Sequence, residues 1–86
     1  GVGIDALPVS IRSSKYLTGN HLGQLANVTA IPEIDASFQH PQLQHIVQYF
    51  SLSPDDMEVE LYKLAGQLLN NGQVEEAWQV LLRTDL

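Results

Sequence analysis

The chain has 86 residues, no cysteine and a formal charge of −6, which allows one small domain with a single core and excludes disulfide frameworks and thiolate metal sites. No apolar run approaches a membrane span, and no charged start followed by an apolar segment marks a signal peptide. The charge is uneven: residues 1–30 carry Arg12 and Lys15 against Asp5, whereas residues 31–86 carry Lys63 and Arg83 against nine carboxylates, a net of −7. That balance repels polyanions, so it counts against nucleic acid and favours a basic partner surface. The absence of cysteine allows a reducing compartment, and a cytoplasmic location is the expectation. The start at Gly1, without a methionine, fits a processed protein, a tag remnant or a domain cut from something longer.

Residues 1–19 mix glycine, proline and serine with short apolar pieces and keep no sustained period, which predicts an irregular arm. Within it, Ala6–Ile11 reads as a turn or one short strand, and Pro8 argues against a central strand. Gly1-x-Gly3 is no phosphate loop, because it lacks a third glycine and a strand to aim it. Asn20 to Val28 reads as a short helix capped by Thr18 or Asn20, with Leu22, Leu25 and Ala26 on one side. So short a helix has to dock. Residues 29–40 read as a connection pinned to the core by Ile31, Ile34 and Phe38. Pro41 then opens a helix over 41–50 in which Leu43, Ile46, Val47 and Phe50 fall at i, i+3, i+4 and i+7 as one buried face.

The strongest local pattern is residues 53–86. Ser53 stands as a cap, Pro54 suits the first helical position, and Asp55 and Asp56 sit where the helix dipole favours negative charge. Leu52 is placed to staple against Met57. Met57, Leu61, Leu64 and Leu68 then draw an apolar stripe along a helix over 54–70, widened by Ala65 and Leu69. Gly72 suits a left-handed helix end. Val74, Ala77, Trp78, Leu81 and Leu82 repeat the stripe over 73–84, so the two helices must face each other. The fold expected is a small all-α domain: an irregular arm, two short helices within 20–50, and a C-terminal antiparallel helix hairpin.

No catalytic, cofactor or metal signature emerges. His40 and His45 are five apart, off a common helical face, and His21 is remote, which makes them solvated or capping residues. Ser13 and Ser14 beside Arg12 and Lys15 form a candidate phosphate patch, although polar loop composition explains them equally. Glu58, Glu60, Glu75 and Glu76 read as solvated helix faces. Val59, Tyr62 and Val80 fall outside the main stripes and make a second apolar surface for a partner or for the arm; Trp78 is a candidate for core or interface.

Two resemblances reach parts of the chain. LGQLANVT, residues 22–29, resembles the second helix and turn of helix-turn-helix domains, with Asn27 in the place of the family's left-handed glycine. It implies DNA binding through residues 12–35, but Pro32, Glu33 and Asp35 fall where the recognition helix would lie. Leu61-x-x-Leu64-Ala65-x-x-Leu68 followed by Gly72-x-Val74-x-Glu76-Ala77-Trp78-x-x-Leu81 resembles one tetratricopeptide-type hairpin within residues 61–84. Thr84 replaces a second alanine, no proline closes the unit, and no second copy stands upstream. That resemblance implies protein or peptide binding. The function expected is therefore a non-enzymatic interaction module, an adaptor, regulatory or assembly domain, meeting another protein through a basic or apolar helical surface or through self-association. The helix-turn-helix DNA binder is the alternative.

Overall fold

A computed structural model describes residues 2–86 and builds them from helices, with no strand among the described residues. A 3-10 turn at Ile4–Ala6 leads into α1 (Val9–Arg12), α2 (Gly19–Ala26), α3 (Pro41–Phe50), α4 (Pro54–Asn70) and α5 (Val74–Leu81). No helix of the described residues is long and apolar enough to cross a membrane.

The arm is more ordered than its sequence indicates. Ala6–Ile11 forms no strand: the chain passes from the 3-10 turn into α1, whose Ile11 and Arg12 N–H groups both donate to Pro8 O at 3.1 Å. Proline lacks a donor, yet its carbonyl still closes the first helical turn. Leu7, Ile11 and Leu17 are buried, and Val2 N–H donates to Ala26 O at 2.9 Å, tying the start of the arm to the end of α2. Burial of these three side chains, each worth roughly 1.5–3 kcal/mol, overrides the weak local periodicity.

α2 starts in a reciprocal cap. Thr18 Oγ1 accepts from His21 N–H, and His21 Nδ1 accepts from Thr18 N–H, each at 3.2 Å; the imidazole takes the role that Glu or Gln usually plays. α3 begins similarly, with His40 Nδ1 accepting from Gln42 N–H at 3.2 Å. Its buried face is narrower than its spacing predicts: Leu43 and Ile46 are buried, but Val47 is 45% exposed. α3 rests chiefly on α4, and a helix with one neighbour covers only the side chains along that line of contact.

α4 and α5 form the predicted hairpin. Gly72 takes φ +75°, its N–H donates to Leu69 O at 3.0 Å, and Gln73 N–H donates to Leu68 O at 2.8 Å; this pair of bonds is a Schellman ending. Ala65 and Ala77 are fully buried, as a close helix approach requires. Two details at the other end of α4 differ from expectation. The Ser53 side chain makes no capping bond, its carbonyl instead accepting from Met57 N–H, and Leu52 is 96% exposed instead of stapling Met57. The turn closed by Ser53 N–H on Phe50 O at 2.9 Å leaves Leu52 in solvent.

α2 crosses the Gly72 end of this hairpin on one polar and apolar edge. Trp78 Nε1–H donates to Leu25 O at 3.1 Å in the buried core, and Gln24 Nε2–H donates to Leu69 O at 2.8 Å. Because His21 Nδ1 is an acceptor, its Nε2 carries the proton and donates to Asn70 Oδ1 at 2.7 Å. The connection 29–40 is not held as its isoleucines suggest: Ile34 is 58% exposed and Ile31 is exposed too, leaving only Phe38 partly buried beneath the Arg83 guanidinium. Gln79 and Arg83 fix it by its backbone instead.

Two glycines give opposite expectations. Gly72→Ala forces a side chain into the left-handed region and is expected to cost about 1 kcal/mol or more. At Gly23, inside α2, an added Cβ meets nothing within 4 Å, so Gly23→Ala is expected to stabilise by about 0.5–1 kcal/mol. Urea unfolding of both variants checks the pair of signs.

Candidate functional site

The apolar side chains singled out for partner contact are not presented as a surface. Trp78 and Val80 are fully enclosed, Tyr62 is buried and Val59 is half-buried. Trp78 occupies the junction of α2 and α5 through its bond to Leu25 O. Its indole supplies apolar area and one donor, and both are used inside the chain. Val59 and Tyr62 line a groove of about 250 Å³ whose other wall is the arm, from Ser10 to Tyr16. The apolar edge of α4 therefore faces the N-terminal arm across this groove, and of the four residues Trp78 and Val80 are reached only by opening the fold.

The Tyr62 hydroxyl is buried with no hydrogen-bond partner. Burial pushes its phenol above the ordinary value; the Thr84 hydroxyl nearby pulls it down and the Glu58 carboxylate pushes it up. Thr84 is near enough to act electrostatically, but the pair lacks hydrogen-bond geometry, and Thr84 Oγ1–H donates to Leu81 O at 2.6 Å instead.

The basic residues of the arm do not form a phosphate-binding face. Arg12 Nε–H donates to Leu7 O at 3.0 Å, and Lys15 shares the groove with Asp55 and Glu58. Ser13 Oγ–H donates to Val9 O at 2.8 Å, while Ser14 Oγ accepts from Tyr16 N–H at 3.2 Å, so both hydroxyls close local turns. The helix-turn-helix reading loses its second helix, since no helix lies between Ala26 and Pro41. Asn27 takes φ −86° and not the left-handed turn. On α2, His21 and Gln24 bond to Asn70 and Leu69 of the hairpin.

No three His, Cys, Asp or Glu side chains converge to hold a metal among the described residues. His21 and His40 cap helices, and His45 stacks on Tyr49 with ring centroids 4.4 Å apart. Glu60 pairs with Lys63 at 3.5 Å, and Glu76 accepts from Gln73 Nε2–H at 3.0 Å. Surface contacts of this kind contribute little to stability.

The most exposed apolar side chains, Leu52 and Tyr49, lie at the corner between α3 and α4, while Val9 and Ile34 are exposed elsewhere. Within six residues the chain exposes Val47, Tyr49 at 71% and Leu52 at 96%, and Asp55 and Asp56 follow, also exposed. The sequence pattern assigned Val47 and Leu52 to the interior; only their failure to find a neighbour identifies the corner. The class these features define is a small all-α domain built on a helix hairpin. Comparison of the chain with protein-family models, with curated proteins and with solved structures finds no match in any of the three.

Tyr62→Phe removes a buried hydroxyl that has no partner, so the expected change in unfolding free energy is between zero and about 1 kcal/mol of stabilisation. The pH dependence carries a sign. A phenol whose folded value is raised above 10.0 stays neutral in the native state while the unfolded chain ionises, so its contribution is intact below pH 10.0 and is lost as pH rises beyond it. Urea midpoints across the alkaline range should fall less steeply for Tyr62→Phe than for the wild type.

Proposed function

We propose that this chain is a non-enzymatic protein-interaction module, an adaptor, regulatory or assembly domain, that meets a basic and partly apolar polypeptide at the α3–α4 corner. The observation that carries the reading is Leu52, left 96% exposed in the turn after α3 in a chain whose other stripe leucines are folded inward. An exposed apolar anchor rimmed by carboxylates suits a partner that supplies both an apolar contact and positive charge. Asp55 and Asp56, the first two carboxylates after the turn and both exposed, provide that rim. The tetratricopeptide-like pattern of residues 61–84 supports protein binding in general, with the hairpin as scaffold and the corner as contact. A cytoplasmic setting belongs to the same proposal, supported by a composition that needs no disulfide.

Leu52→Asp tests the corner, because an exposed side chain contributes little to folding and the variant should unfold within about 0.5 kcal/mol of the wild type. Affinity capture on the two immobilised domains, followed by mass spectrometry, should show basic proteins retained by the wild type, weakened by salt, and lost with Leu52→Asp. Light scattering of both proteins reports whether the occupant is a second copy. Capture that is identical with the two domains removes the corner from the proposal.

A further inference from the structure

One segment of this chain is held the way a bound peptide is held. Residues 33–35 run along α5 without helical structure, and the contacts that fix them are made to their backbone. Gln79 Nε2–H donates to Glu33 O at 3.0 Å, and Asp35 N–H donates to Gln79 Oε1 at 2.8 Å. A parallel strand reads its neighbour in the same pattern, bonding the C=O before and the N–H after the residue opposite; here a single primary amide does so around Ile34. Arg83 extends the row, donating from its guanidinium to Asp35 O at 2.8 Å and to the backbone carbonyl of Gln79, which anchors the Arg83 side chain on α5.

Each of these bonds to residues 33–35 is exposed, and Ile34 turns most of its surface to solvent. The segment therefore contributes little apolar burial of its own, which is the condition for local opening without global unfolding. Next to it, between the preceding residues of the connection and α5, lies a recess of about 270 Å³ lined by Ala30, Pro32, Trp78 and Gln79 among others. We propose that α5 and the turn that follows it carry a binding site for an extended polypeptide, read by Gln79 and Arg83, which residues 33–35 occupy here as a displaceable strap. The occupant it fits is a chain in strand conformation, because main-chain bonds supply the recognition and the side chain between them is free to vary. This site is separate from the α3–α4 corner and stands or falls independently of it.

The test loosens the strap and offers the seat a replacement. Asp35→Pro deletes the N–H that Gln79 accepts and leaves the core untouched. The probe is a synthetic peptide with the sequence of residues 30–38, titrated into the 15N-labelled variant. The expected result is unchanged helical circular dichroism, saturable shifts of the Gln79 side-chain amide and the Arg83 guanidinium, and no binding to Asp35→Pro/Gln79→Ala. In the wild-type protein, Gln79→Ala should speed exchange of the Asp35 amide by up to about tenfold while α4 core amides keep their protection. Loss of the helical fold in Asp35→Pro would show the strap to be integral, and a folded variant blind to millimolar peptide would show that no site lies beneath it; either result overturns the proposal. Asp35 exchange that follows the slowest core amides in the wild type overturns it as well.

Discussion

The bond between the Trp78 indole and the Leu25 carbonyl is the contact on which the arrangement of this chain depends. A helix of eight residues, α2, is too short to persist alone, and its terminal carbonyls need donors. The indole satisfies one of them in the deepest part of the core while its ring fills the junction with α5. Gln24, next to Leu25, and His21, one turn back, reach Leu69 O and Asn70 at the end of α4. The hairpin thus holds α2, and α2 holds the arm through Val2 N–H on Ala26 O.

The same economy decides what is left for other molecules. In a chain of this size every large apolar side chain that can find an internal neighbour is needed there, so Trp78, Val80 and Tyr62 are consumed by the core. Surface apolarity remains where geometry denies a neighbour: at Val9 in α1, at Ile34 in the connection, on the flanks of α3, which rests chiefly on α4, and in the tight turn before α4. Polar side chains on α5 and the turn that follows it do the complementary work. Gln79 and Arg83 hold by hydrogen bonds a connection that its own isoleucines do not anchor.

The turn after that connection shows how local chemistry finishes what distant contacts begin. Asp35 accepts from Ser37 through both its N–H and its hydroxyl, at 2.9 and 2.6 Å, and these bonds hold its carboxyl below the ordinary carboxylate value, burial opposing them slightly and Arg83 adding to them. Phe38 N–H donates to Asp35 O, completing the reversal that carries the chain toward α3. An exposed segment is thereby given a fixed exit with almost no core of its own.

The helices over 41–50 and 54–70, the glycine ending of the hairpin and the all-helical class could be read from the sequence, because each is set by signals within a few residues: Pro41, Pro54, the leucine spacing and Gly72. Thr18-x-x-His21 was a legible cap as well, once imidazole is allowed the acceptor's part. The order of the arm was not legible, since Leu7, Ile11 and Leu17 sustain no helical period, Leu17 standing six residues beyond Ile11, and become core only against helices that come later in the chain. The candidate surface was hidden for the converse reason. Periodicity places Val47 on a buried face and sequence spacing pairs Leu52 with Met57, but burial depends on whether another element arrives to cover them, and that is a property of the assembled tertiary structure alone.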